Sequence, residues 1–258
     1  MIDIHTHILP GIDDGAKSLD DSLLMIRQAI DAGVSVICAT PHILGDVSGP
    51  LREKISRTFR LVVSGAEREG LKVRLVLGSE IYVRQDICLL SQFEFFSLSQ
   101  TGKYVLVELP LGQVPPNIDR PFRNLLLDGV TPIIAHPERS ITEESQFEAI
   151  QSLIQLGALT QINAGSLLGH FGRAPRKAAE RLLEKELVNV MASDAHDPGG
   201  RSIALLRKSY TEVCRLAGKT KADELTMQNP WQILNGERVP TTRPQKAAEK
   251  EVGQLLDN

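Results

Sequence analysis

With 258 residues, 42% of them hydrophobic and 24% charged, the chain has enough apolar content for a sizeable core, and wholesale disorder is excluded. A formal net charge of -3 argues against nucleic acid held on a basic surface. No run approaches the roughly 20 apolar residues that span a bilayer, so membrane insertion is not expected either.

Three cysteines, Cys38, Cys88 and Cys214, are odd in number and far apart. They offer no disulfide framework and no CxxC metal clip. The opening MIDIHTH lacks the basic and apolar regions of a secretory signal. Both features fit a reducing, cytoplasmic setting.

Along the chain, β-branched runs alternate with stretches of helical period. Residues 2–4 are the first predicted strand, followed by a glycine-flanked loop at 11–15 and a helix over 19–32. A second strand over 34–39 leads to a helix over 51–68, and a third strand covers 72–77. Residues 82–103 break the rhythm and are expected to form an insertion. The fourth strand (104–109) precedes a helix over 118–128. The fifth (131–135) precedes 144–156, the sixth (159–163) precedes 175–185, and the seventh (187–192) precedes 201–216. Runs such as VSVICAT and VTPIIAH are apolar throughout, the pattern of parallel strands covered on both faces. Gly33, Gly70, Gly129, Gly157 and Gly218 stand where helices should end. Sevenfold strand–helix alternation at this length predicts an α/β fold whose parallel sheet closes into a barrel. One domain over 1–240 is expected, with a polar tail over 241–258 that frays or forms an exposed helix.

The six histidines matter by their placement. His5 and His7 form an H-x-H pair by the first strand, and residues i and i+2 of extended chain share a side. His42 follows the second strand, Glu80 the third, Glu108 ends the fourth, and His136 follows the fifth. Asp194 and His196 follow the seventh, while Asp13 and Asp14 lie in the loop after the first. In a parallel barrel these positions meet at the C-terminal face of the strands. Singly, each has an ordinary reading. H-x-H alone is a weak signal, Glu108 alone reads as a strand-end ion pair, and Asp13-Asp14-Gly15 alone reads as a turn capping the next helix. His170 stands outside the scheme as a loop residue. Together they are too polar for an empty pocket, and divalent ions would neutralise them. A histidine–carboxylate mixture without thiolate suits manganese, iron or zinc, and the carboxylate share leans to Mn²⁺. The donors exceed the needs of one ion, so two or three are implied, with Glu80 and Glu108 suited to bridge them. Arg139 and Arg201 flank His136 and His196 and would grip phosphate oxygens in fork geometry, which favours a phosphate ester over an amide. A thiol-based tyrosine phosphatase needs C-x₅-R, and the positions six beyond the cysteines are Leu44, Glu94 and Thr220.

With these residues in place, the sequence resembles the polymerase-and-histidinol-phosphatase (PHP) family. Within it, the sequence is similar to the manganese-dependent protein-tyrosine phosphatases of bacterial capsule and exopolysaccharide gene clusters. MIDIHTHILPGIDDGAKSLDDSLLMIRQAIDAGVSVICATPH, GSEIY, VELP, TPIIAHPER, TQINAGSLLGHFG and ASDAHD carry the resemblance, from Met1 to about Trp231. It implies a distorted (β/α)7 TIM-like barrel with its metal site at the C-terminal ends of the strands. The implied metal ligands are His5, His7, Asp14, His42, Glu80, Glu108, His136, Asp194 and His196, with Arg139 and Arg201 as phosphate binders. It also implies hydrolysis of phosphotyrosine by in-line attack of a metal-activated water. The expected substrate is the tyrosine-rich tail of a membrane-associated tyrosine kinase. Alternatives are a histidinol-phosphate or other small-molecule phosphatase, a metal-dependent amidohydrolase, and a metal-stabilised scaffold without activity. The amidohydrolase class commonly needs a bridging carboxylated lysine, and GSEIY holds none.

Overall fold

The computed structural model describes residues 1–45, 48–83 and 93–240. In chain order the elements begin β1 (Ile2–Thr6), α1 (Leu19–Asp31), β2 (Val36–Ala39), β3 (His42–Ile43), α2 (Gly49–Arg68), β4 (Arg74–Leu77), β5 (Glu80–Tyr82) and α3 (Phe93–Phe96). They continue with β6 (Tyr104–Glu108), α4 (Asp119–Leu127), β7 (Thr131–Ala135), α5 (Glu144–Leu156), β8 (Leu159–Asn163), α6 (Ala164–Leu167) and α7 (Arg173–Glu184). Last come β9 (Val190–Ala192), α8 (Leu205–Ala217), α9 (Lys219–Asp223) and α10 (Asn229–Leu234).

Among the described residues every strand pairing is parallel, in a sheet ordered β1-β2-β4 and a second ordered β3-β5-β6-β7-β8-β9. The two sheets share their chain. Val36 faces Arg74 in the first and His42 faces Glu80 in the second, so the register carries across the break. Pro41, which has no N–H, stands at one break, and its carbonyl still accepts the Glu80 N–H at 3.1 Å. Gly78 stands at the other, where an added Cβ would come within 3.1 Å of Cys38 Sγ and of Leu98 Cα. The far edge returns to the first strand: Asp194 N–H donates to His5 O (3.0 Å) and His7 N–H to Ala195 O (2.8 Å). This α/β fold of parallel sheets has TIM-like barrel architecture.

Side chains alternate along the strands between two apolar clusters. Leu106, Ile133, Ala135, Leu159, Val190 and Ala192 pack together with Ile233 and Leu234 of α10. Their neighbours Val105, Val107, Ile134, Ile162 and Met191 pack with helix residues such as Phe122, Phe147, Ile150 and Leu182.

Several expected boundaries move. The second and seventh strands start at Val36 and Val190 rather than 34 and 187, because the N–H groups of Val34 and Leu187 bond back to Ala29 and Leu182 as the preceding helices end. The third starts at Arg74 rather than 72. Helix α1 is capped by Ser18, reciprocally with Asp21, and not by the Asp13–Asp14 turn. Helix α8 starts at Leu205, which leaves Arg201 in a turn. The glycine expected after α5 is Gly157, left-handed with φ 119°.

Within the expected insertion, α3 and a short turn at Leu98–Gln100 place Phe96 and Leu98 in the core. Residues 84–92, with Cys88, and the expected tail 241–258 lie outside the described residues. The run of short helices from Lys219 to Leu234 has no counterpart in the sequence reading. Among the described residues, no helix is long and apolar enough to cross a membrane.

Candidate metal centre

All the singled-out polar residues at the strand ends meet in one place. His5 lies inside β1 rather than past it, and His7 follows two residues on, with their Nε2 atoms 3.2 Å apart. His42 and Glu80 do not simply trail their strands; each opens a short strand of its own, β3 and β5. Glu108 is the last residue of β6. His136 and Asp194 follow β7 and β9 with φ of 32° and 53°, a left-handed conformation that non-glycine residues adopt at a cost of order 1–3 kcal/mol. Such strain persists where surrounding contacts impose it.

Three groups of donor atoms form, each within 4.8 Å of one another: His7, Asp14, His42 and His196; His5, His7, Glu80 and Asp194; His42, Glu80 and Glu108. They overlap at His7, His42 and Glu80, an arrangement consistent with two or three metal ions. His136 stands outside these groups but places Nε2 3.0 Å from Glu80 Oε1 and 3.8 Å from Glu108 Oε1. Asp14 is the exposed member, its side chain 65% accessible, at the rim.

The donors fit divalent ions by what they lack. Buried atoms with no hydrogen-bond partner include His42 Nδ1, Glu80 Oε2, Asp194 Oδ1 and His196 Nε2, and all four face the shared centre. Leaving several such groups unsatisfied is costly, and a cation satisfies them together.

The tautomers point the same way. His5 Nδ1 bonds to Gln161 Oε1 (2.8 Å), His7 Nδ1 to Asp13 Oδ2 (2.8 Å) and His196 Nδ1 to the Asp194 carbonyl (3.0 Å). With Nδ1–H so committed, each ring presents its Nε2 lone pair to the cluster. Burial pushes His42 down and His196 down to about 3, so both stay neutral. Burial alone would raise Glu80 and Asp194, yet the imidazoles around them hold both well below the usual carboxylate range.

Arg139 and Arg201 converge on one oxygen. Asp194 Oδ2 accepts Arg139 Nη1 at 3.1 Å and Arg201 Nη2 at 2.7 Å, with Asn163 Nδ2 at 2.7 Å. Arg201 Nε has no partner.

The sequence reading placed Asp13 among the converging residues without a role of its own, and it did not single out Gln161, Asn163 or Glu138. Asp13 accepts from His7, from the His42 N–H (2.9 Å) and from the Gly15 N–H (3.0 Å). Despite burial, these donors hold its carboxyl down at about 2. Gln161 passes Nε2–H to Asn163 Oδ1 (2.8 Å), and Glu138 Oε1 accepts the Asn163 N–H (2.9 Å), linking His5 through β8 to Asp194. A usable signal existed: in TQIN the polar residues 161 and 163 alternate on one side of a fully buried strand. Among the described residues, neither Cys38 nor Cys214 belongs to a donor group. Burial pushes the Cys38 thiol up to about 12, so it holds its proton.

Metal-dependent phosphatases are the class that this fold and this cluster together define. Comparison with known proteins narrows it. The chain belongs to the capsular polysaccharide synthesis family CpsB/CapC, which matches residues 1–235, and the resemblance to the capsule-gene branch of the PHP family holds. It is 31% identical over 239 residues to the tyrosine-protein phosphatase CpsB of Streptococcus agalactiae serotype III (strain NEM316), covering 91% of this chain and 98% of that protein. It is 37% identical over 205 residues to the tyrosine-protein phosphatase YwqE of Bacillus subtilis (strain 168), covering 76% and 78%. A solved structure from work on YwqE of Bacillus subtilis and CpsB of Streptococcus pneumoniae, described as unique metal-dependent tyrosine phosphatases, superposes with a TM-score of 0.86 at 31% identity, over 95% of this chain and 98% of that one.

Proposed function

We propose that the chain is a manganese-dependent protein-tyrosine phosphatase of the cytoplasm. Its substrate is the tyrosine-rich tail of a membrane-associated bacterial tyrosine kinase that regulates capsule or exopolysaccharide synthesis. The observation that carries this reading is the meeting of three overlapping donor groups with two arginines on Asp194. The relatives named as tyrosine-protein phosphatases support the substrate class. Taking β2–β3 and β4–β5 as single interrupted strands makes seven parallel strands in a ring, the distorted (β/α)7 barrel of the PHP fold, within one domain over 1–240. The metal ligands in this reading are His5, His7, Asp14, His42, Glu80, Glu108, His136, Asp194 and His196.

Activation of water and positive charge for the phosphoryl oxygens are what divalent ions supply in such a site. The chain's own part is orientation. Asp13 and Gln161 hold His7 and His5 in the tautomer that leaves Nε2 free. Arg139 and Arg201 each commit one N–H to Asp194 and keep further donors for the phosphoryl oxygens, where charge develops in the transition state. A departing phenolate, with a parent pKa of about 10, leaves more readily than an alkoxide and asks less of a general acid.

Chelation should abolish hydrolysis of a phosphotyrosyl peptide and added Mn²⁺ should restore it, with phosphoseryl peptide and histidinol phosphate turned over more slowly. Full turnover with metal verified as removed sinks the reading. Histidinol phosphate preferred by tenfold, about 1.4 kcal/mol, replaces the protein substrate with a small one.

A further inference from the structure

Both arginines face the ring of Phe171. This residue follows β8 and α6 in a tight turn, where His170 N–H bonds to Gly165 O (2.9 Å) and Gly172 N–H to Gly169 O (3.1 Å). Its ring is half-buried. A Cβ on Gly165 would stand 2.9 Å from Phe171 Cε2, so the ring rests directly on the backbone of α6. The guanidinium carbon of Arg139 lies 4.4 Å from the ring centre and that of Arg201 5.9 Å from it, both within cation–π range. One apolar ring therefore lies within cation–π range of both arginines that converge on Asp194 Oδ2 and adds no polar atom to the site.

A phosphoryl group held by those arginines brings whatever is esterified to it beside Phe171. An aryl group there can meet the ring offset or edge-on at centroid separations of about 4.5–7 Å, whereas a short alkyl group gains little. Two aromatic residues of the 82–103 segment, Phe95 and Phe96, pack against each other: Phe96 is fully buried, and Phe95 meets it edge-on at 5.1 Å.

We propose that Phe171 is a specificity-determining residue that makes this site prefer aryl over alkyl phosphate monoesters. The proposal rests on the phosphatase reading and deepens it.

Benzylphosphonate and ethylphosphonate, in which a methylene replaces the ester oxygen, test it by calorimetry on the Mn²⁺-loaded full chain without any turnover. The wild type should bind the benzyl compound about three- to tenfold more tightly, the range an aromatic pair supplies. Phe171→Leu should bring that ratio below twofold while metal content and ethylphosphonate affinity stay unchanged, and Phe171→Tyr should keep it. Phe171→Met carries the same test if the leucine variant does not fold. Equal binding of the two compounds by the wild type overturns the proposal. So does a leucine or methionine variant that keeps the preference, or one that weakens both compounds alike. An aryl preference that the leucine variant loses, in a wild type that hydrolyses no phosphotyrosyl peptide, supports the Phe171 assignment and overturns the phosphotyrosine reading.

Discussion

Asp194 carries two jobs on two oxygens. Oδ2 takes Arg139, Arg201 and Asn163, while Oδ1 is left without a hydrogen bond and faces His5 and His7 at 3.4 Å. The arginines are thereby held beside the donor cluster without belonging to it. Arg139→Ala or Arg201→Ala should retain metal and lose roughly 10²–10³ in rate, the usual cost of removing one preorganised donor. Arg57→Ala, exposed on α2, should match the wild type in kcat/KM, and equal activity in all three variants would return the pair to ordinary surface residues. Asp13 acts one step further out, through His7. Asp13→Asn keeps the size but weakens the acceptor that fixes the tautomer, and metal affinity measured by competition with a chelator should fall about 10–100-fold. An unchanged affinity would show that His7 needs no such partner.

At the scale of elements, loops after strands do most of the placing. The segment after β1 folds back so that Gly15 lies against the His7 backbone, where an added Cβ would be 2.1 Å from His7 O. No side chain yields there, since the obstacle is backbone. Gly15→Ala should push the 11–15 loop off β1, carrying Asp13 and Asp14 with it. Expected outcomes are a stability loss of about 1–3 kcal/mol, the range for overpacking, read as a lowered urea midpoint, together with weaker metal binding. A variant with wild-type midpoint and metal affinity would show that the loop has room to move. The strand–helix order was legible in the sequence because the periodicities of 2 and 3.6 are local properties. The breaks at Pro41 and Gly78 were not, since a two- or three-residue strand such as β3 or β5 exists only through its neighbour in the sheet. For the same reason Arg201 read as helical, when its turn is set by Asp197 accepting the Gly199 and Arg201 N–H groups.

Across the whole molecule, the buried carboxylates and imidazoles lie at the closure of the sheet, where β9 returns to β1. Ions that bind there bind the folded chain and not the unfolded one, so they add stability by mass action. With free Mn²⁺ at 100 times its dissociation constant the gain is about 2.7 kcal/mol. A melting temperature several degrees higher with metal than with chelator is expected, and coincident melting curves would place the ions outside the folding equilibrium.

Residue types recurring at strand ends were enough to read, from the chain alone, which histidines and carboxylates would meet and the parallel α/β plan. Metal-ligating side chains are rare in apolar strands, and strand polarity sends their ends to one face. Which oxygen each arginine takes, which carboxylate steers which imidazole, and that Gln161 and Asn163 form a path from His5 to Asp194 came from the folded arrangement. Those partners lie up to 156 residues apart, as with His5 and Gln161, and local pattern carries no information about contacts made only when the sheet closes.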